Sequence, residues 1–174
     1  GEAYLLSLAL RHPTVEAAVE ALLEEDLARH PAARELFGGG LEDLLEDPLL
    51  QEIWRQFTTL PLEWRASTPE ALRDWAESLD EPLREEALRL IEGPAHGPED
   101  FRYRQEAEHC ARNLRVDQAR RMQRRLLMRL ADEAEGDHAE TLARVNTLTE
   151  FIAAITTPRR SSTFPDLRDV LGRE

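Results

Sequence analysis

Two carboxylate–histidine pairs are the residues of this sequence best suited to hold a metal. Glu106 precedes His109 by three positions, and Glu135 precedes His138 by the same interval, which is the ligand spacing of di-iron helical bundles. The second pair spans a glycine turn, and the two pairs lie at opposite ends of one predicted helix. His109 and the adjacent Cys110 point about 100° apart on a helix. The sequence therefore predicts neither a metal nor another cofactor.

The sequence also contains no recognisable motif for a catalytic nucleophile or for phosphate binding. The serines occupy predicted helix, cap or tail positions: Ser7, Ser67, Ser78, Ser161 and Ser162. Gly38, Gly39 and Gly40 form a triple glycine, but no predicted strand precedes it and no lysine follows it, as a phosphate-binding loop requires. We interpret the triple glycine as a loop or helix stop. The residues taken alone predict a non-catalytic chain.

A basic helix is the strongest charge pattern in the chain. One acid, Asp117, lies among seven arginines: Arg112, Arg115, Arg120, Arg121, Arg124, Arg125 and Arg129. Exposed ion pairs add little stability, so stability alone does not explain so many arginines. Two interpretations stay open. The arginines form a ridge for phosphates or an acidic protein patch, or they form a solvated face paired within the helix and with Glu140 and Glu150.

The surroundings of the basic helix favour a protein over a nucleic acid as its partner. No aromatic side chain lies between Tyr103 and Phe151, so single-stranded bases have no platform on which to stack. The formal net charge of −13 disfavours nonspecific nucleic-acid binding by the chain as a whole. If the arginines bind a partner, we expect an acidic protein surface.

The basic helix is the first arm of a helical hairpin predicted over residues 99–155. Gly136 is expected to take the left-handed conformation that ends this arm. Asp137, with Glu140 three residues later, is expected to cap the second arm as a capping box. The second arm carries an apolar stripe at spacings of three and four: Leu142, Val145, Leu148, Ile152 and Ile155. A helix rises about 1.5 Å per residue, so the hairpin should project beyond a small body.

A body of about six short helices precedes the hairpin, and no stretch alternates with the period of a strand, so the fold is predicted to be all-α. Prolines and caps place helices at 2–11, at 15–29 behind a cap by Thr14, at 32–37, from about 48 to 58, and after Pro69 and Pro82. The break at 93–98 predicts a bundle subdomain at 1–93, a long helix and hairpin at 98–157, and a tail at 158–174. Trp54, Trp64 and Trp75 are expected to fill the body core, with a partner pocket as the alternative.

Composition narrows the class of protein further. The 174 residues are 41% hydrophobic, which permits a real core, and all positive side chains other than histidine are arginines. A single cysteine excludes an internal disulfide and fits a reducing compartment. No apolar run approaches the roughly 20 residues of a membrane span, and we find no signal peptide. Because the first residue is Gly1, we expect a fragment of a larger protein.

Two stretches resemble the C-terminal domain of bacterial DnaG-type primases. Residues 2–13, which read EAYLLSLALRHP, look like the opening helix of that domain. The arginine-rich helix at 114–130, its acidic turn and the stripe at 142–155 look like its terminal hairpin. The break at 93–98 falls where the family passes from bundle to hairpin. The resemblance covers most of residues 2–156, and the tail has no counterpart in it.

The resemblance implies a helicase-interaction domain without catalytic activity of its own. In the family, the hairpin docks on the N-terminal domain of the DnaB-type replicative helicase and the bundle modulates the helicase. The zinc-binding and polymerase domains lie N-terminal to this region. The resemblance therefore implies a cytoplasmic protein of the replication fork, monomeric in isolation, with weak or no direct nucleic-acid binding and no membrane contact.

Helix-on-helix recognition points to contact residues on the hairpin. The candidates are Arg124, Arg125 and Arg129 for charge steering, and Leu148, Phe151, Ile152 and Ile155 for apolar contact. Phe151 lies off the main spacing and is the first choice, with packing on the hairpin base or the tail as the alternative. Two rival functions stay open: a nucleic-acid-binding accessory module that uses the arginines, and a self-associating domain of the helicase N-terminal type.

Overall fold

The described part of the chain contains helices and no strand, in agreement with the predicted all-α class. A computed structural model describes residues 1–65, 68–92, 102–133, 136 and 138–157. The elements are α1 (Glu2–Arg11), α2 (Thr14–Arg29), the 3₁₀ turns η1 (Pro31–Glu35) and η2 (Leu41–Leu44), α3 (Pro48–Thr58), α4 (Leu62–Arg65), α5 (Pro69–Glu77), α6 (Leu83–Ile91), α7 (Arg102–Asp132) and α8 (Ala139–Thr156). The predicted tail at 158–174 and the break at 93–98 lie outside the described residues.

Local signals set the starts of two body helices, α3 and α5. Pro48 opens α3 behind Asp47, whose carboxylate accepts a hydrogen bond from the Leu49 N–H at 2.8 Å. Thr68 caps α5 in the same way, accepting from the Ala71 N–H at 3.3 Å. The prediction that Thr14 caps α2 is wrong, because Thr14 is already helical and its hydroxyl lies 3.3 Å from the Tyr103 hydroxyl.

Two apolar cores hold the described residues together, and α7 contributes to both. The first core joins the body helices around Leu5, Leu6 and Trp54, and it also takes in Ala107 and Ala111 of α7. The second core joins α2, η1 and Phe37 to α7 and α8: Leu27, Ala33, Phe37, Val116, Ala119, Leu126, Leu148, Phe151 and Ile155. The packing therefore crosses the predicted subdomain boundary, and that division stays a prediction.

The two long helices form the predicted antiparallel hairpin. Helix α7 has 31 residues, which corresponds to about 46 Å of helix. The Gln123 side-chain amide donates to the Thr149 hydroxyl at 2.6 Å, and this bond shows which residues of the two arms lie side by side. Counting away from it in opposite directions places Leu142 at the level of Leu130 and Glu133 at the level of 139.

The turn between the arms differs from its prediction. No described glycine has a positive φ, so Gly136 does not adopt the left-handed conformation. His138 precedes the first residue of α8 and makes no side-chain cap, and Asp137 lies outside the described residues. Glu140 bonds Arg144 at 2.7 Å, one turn along its own helix.

The tryptophans divide between core and surface. Trp54 and Trp75 are buried as predicted, but Trp64 is 41% exposed on α4, where we predicted only a connector.

Candidate protein-docking surface

Arg112 fastens α7 to α2 through a buried carboxylate. Its Nε and Nη2 atoms donate to the two oxygens of Asp26 at 3.1 and 2.9 Å, and Asp26 is 1% exposed. Arg29 adds a longer contact to the same carboxylate, with Nη1 at 3.8 Å. A bidentate contact between a guanidinium and a carboxylate fixes both the distance and the orientation of the two side chains. Arg112 therefore has a structural role.

Arg115 is buried beneath the loop that precedes η2. It is 1% exposed, its Nη2 donates to the Gly38 carbonyl at 2.8 Å, and its guanidinium lies 4.8 Å from the centre of the Phe37 ring. Its Nε and Nη1 have no hydrogen-bond partner among the described residues. Burial lowers the pKa of Arg115 to about 10, and the nearby Asp43 and Asp26 partly oppose this shift. The guanidinium stays charged at neutral pH and is inaccessible to a partner.

Two further contacts attach α7 to the start of the η2–α3 segment. Gln118 donates to the Asp43 carbonyl at 2.8 Å, and Arg121 pairs with Glu46 at 3.0 Å. Three of the seven arginines, Arg112, Arg115 and Arg121, thus hold the hairpin on the body. The sequence did not distinguish these three from the rest.

The remaining four arginines face away from the body. Arg120, Arg124, Arg125 and Arg129 are exposed, and no ion pair or hydrogen bond reaches them from the described residues. The interpretation that the arginines pair with Glu140 and Glu150 across the hairpin is wrong. Those acids bind other partners, Arg144 at 2.7 Å and His30 at 3.1 Å.

Exposed apolar side chains lie near Arg124, Arg125 and Arg129, toward the turn of the hairpin. Leu127 is 47% exposed, Met128 is 68% exposed and Leu142 on the second arm is 48% exposed. Met128 lies four residues after Arg124 and three after Arg125, so the three share one face of α7. We define Arg124, Arg125, Leu127, Met128, Arg129 and Leu142 as the hairpin-tip surface. It combines an apolar centre with cations at its edge, as protein interfaces do.

The predicted apolar contacts lie elsewhere, inside the second core. Leu148, Phe151 and Ile155 are 0%, 1% and 3% exposed, and Ile152 packs partly buried against them. The Phe151 ring stacks on Phe37 with centroids 5.3 Å apart and meets His30 edge-on at 6.4 Å. The expectation that Phe151 faces a partner is corrected by this burial, because packing on the body already desolvates the ring.

Sequence reasoning missed Leu127 and Met128, although a signal was present. The buried residues Val116, Ala119 and Leu126 follow the spacing of one helix face, and Met128 falls outside that series. An apolar residue off the buried face of a helix has no core to enter, so it marks the surface.

The triple glycine holds carboxylates where a phosphate-binding loop would hold phosphate. A Cβ on Gly38 would lie 2.1 Å from Oδ2 of Asp43, and one on Gly39 would lie 2.2 Å from Oε1 of Glu24. The Gly40 N–H donates to the Asp43 carboxylate at 2.9 Å. The interpretation as a loop is confirmed, and the space beside it is already filled with negative charge.

The residues of the first carboxylate–histidine pair contact separate neighbours. Glu106 accepts a hydrogen bond from the Tyr4 hydroxyl, which raises the pKa of Tyr4 to about 12, and His109 bonds Asn113 at 3.0 Å. Among the described residues, no group of three or more His, Cys, Asp and Glu side chains is arranged to hold a metal ion. Glu135 of the second pair lies outside them.

Comparison with known proteins found no relative of this chain. No family model, curated protein or solved structure matches the chain. None of the described helices combines the length and the apolar character that a bilayer-spanning helix requires.

Proposed function

We propose that this chain is the helicase-interaction domain of a bacterial DnaG-type primase and that the hairpin-tip surface docks on the DnaB-type replicative helicase. One observation carries the proposal. Near the turn of the hairpin, the exposed Met128 and Leu127 lie beside arginines that have no ion pair among the described residues. The resemblance of the sequence to that domain supplies the identity of the partner.

The tip has the chemistry of a docking surface for an acidic helical protein. Methionine is flexible and polarizable, so Met128 can adapt to an apolar groove. Arg124 and Arg125 on the same face can form bidentate contacts with carboxylates. Charges at the edge of an interface mainly raise the association rate, whereas the apolar centre sets the lifetime of the complex. In this proposal RNA synthesis belongs to other domains, and the chain recruits and modulates the helicase.

Calorimetric titration of the chain with the N-terminal domain of the helicase tests the proposal. Met128→Glu places a carboxylate in the apolar centre, and we expect at least a tenfold loss of affinity, about 1.4 kcal/mol. Ala17→Glu on the exposed face of α2 adds the same charge to the body and should leave affinity unchanged. Equal binding by Met128→Glu and the unsubstituted chain, with both folded, would refute docking through the tip.

The four exposed arginines also support a second candidate, binding of a nucleic-acid backbone. Arg120 and Arg124 are one turn apart, as are Arg125 and Arg129, so phosphates could be contacted in succession. Titration of labelled DNA and RNA at several salt concentrations separates the candidates. A steep loss of affinity with salt, removed by replacing these arginines, would favour the nucleic acid.

Exposed apolar residues on a hairpin also fit self-association, the third hypothesis from the sequence. A domain of the helicase N-terminal type should dimerise through its hairpin, whereas the primase domain should remain monomeric. Light scattering of the isolated chain decides between them. A dimer dissociated by Met128→Glu would favour the self-associating domain.

A further inference from the structure

A second exposed apolar pair lies on the body, on the single turn of α4. Leu62 is 72% exposed and Trp64 is 41% exposed, whereas Trp54 and Trp75 are 2% and 6% exposed. Leu62 and Trp64 therefore present large apolar side chains at the surface of the body. Tryptophan is the residue type most enriched among those that dominate interface energies.

The α4 turn is held in place by the residue that follows Trp64. Arg65 pairs with Glu16 of α2 at 3.1 Å, and its guanidinium lies 5.9 Å from the centre of the Phe57 ring. The N–H groups of Trp64 and Arg65 both donate to the Pro61 carbonyl at 3.0 Å. A partner would meet this pair already ordered, which lowers the entropic cost of binding.

The chain segment that carries the pair is acidic. Glu63 lies between Leu62 and Trp64, and it is exposed and takes part in no ion pair within the described residues; the same holds for Glu70 and Asp74 on the next helix. The body as a whole has the same sign, since residues 1–92 account for the entire net charge of −13 and the charges of residues 93–174 balance. Because like charges repel, an acidic partner of the hairpin tip is disfavoured here, and a basic one is favoured.

We propose that Leu62 and Trp64 form a second docking surface, occupied by a basic amphipathic helix of a partner protein. The apolar face of that helix covers Leu62 and the indole, and its cations approach Glu63 and the acidic surface of the body. This surface selects a partner opposite in charge to the one that fits the hairpin tip. It does not depend on the helicase proposal.

The test uses the full chain and a synthetic amphipathic peptide of leucine, alanine and arginine, long enough for about four helical turns. The three tryptophans give three indole N–H signals in a ¹⁵N NMR spectrum, and Trp64→Phe identifies one of them. We expect only the Trp64 signal to shift, and its shift should reach a plateau as the peptide concentration rises. A shuffled peptide of equal charge, with its leucines spread around the helix, should not reproduce the shift.

Two variants of the chain separate apolar docking from general charge attraction. Leu62→Ala should weaken peptide binding by about tenfold. Glu63→Arg should weaken it at least as much, whereas Glu35→Arg makes the same change in net charge on the exposed face of η1 and should have little effect. The proposal is overturned if the Trp64 signal stays still, if Leu62→Ala binds like the unsubstituted chain, or if both charge variants weaken binding equally. A shift of the Trp64 signal with chain concentration alone would also overturn it and would assign the surface to a second copy.

Discussion

Phe151→Ala is the substitution that most directly tests how the hairpin is held on the body. The side chain is 1% exposed and touches Phe37 and His30 as well as the apolar residues of both arms. Removing a buried phenyl ring costs about 3–5 kcal/mol, from lost burial and the remaining cavity. The effect should be at the upper end, because the buried Arg115 guanidinium still holds the Phe37 ring and hinders its collapse into the space.

Urea unfolding followed by circular dichroism measures this cost. Met128→Ala removes an apolar side chain from a surface position of the same hairpin and should change stability by less than about 0.5 kcal/mol. A double-mutant cycle of Phe37→Ala and Phe151→Ala should give a coupling of about 0.5–1.5 kcal/mol from ring stacking. A cost below about 1 kcal/mol for Phe151→Ala, or no coupling to Phe37, would refute the packing of α8 on the body.

Two further comparisons use matched pairs of residues within the chain. Arg112→Met leaves the buried Asp26 carboxylate with only the longer contact to Arg29, so it should cost about 3 kcal/mol in a urea titration, whereas Arg124→Met on the same helix should cost less than about 0.5. Equal costs would mean that the arginines do not divide into fold-holding and surface sets. Gly38→Ala brings a Cβ against Asp43 and should lower the melting temperature, whereas a Cβ added to Gly136 would have nothing within 4 Å and Gly136→Ala should not lower it. A tolerated Gly38→Ala would show that the Asp43 carboxylate moves aside at little cost.

Features set by neighbouring residues in the chain were predictable from the sequence. The bounds of α3 agree with the prediction because Pro48 and the Asp47 cap act within one turn of the helix they begin. The hairpin was predictable for a similar reason, since an apolar stripe and a short turn are properties of one contiguous stretch. Gly136 was interpreted wrongly because several conformations can end a helix and the sequence contains no φ angle.

Features set by distant residues were not predictable in the same way. Seven arginines on one helix look alike until the positions of Asp26, Glu46 and the Gly38 carbonyl are known. Phe151 has the same difficulty, because its burial depends on Phe37, more than a hundred residues earlier. Whether an off-stripe aromatic faces solvent or a second layer of protein is decided by that layer.

The division of the arginines is what connects the fold to the proposed docking. Arg112, Arg115 and Arg121 hold the base of the hairpin on the body, and the exposed Arg124, Arg125 and Arg129 follow them toward the turn of the hairpin. A helix anchored at one end presents its other end in a defined orientation, which lowers the entropic cost of docking. Loosening the base should therefore weaken binding at the tip without any change in the tip residues. Arg121→Met, which removes only a half-exposed ion pair to Glu46, is the mildest way to make that measurement.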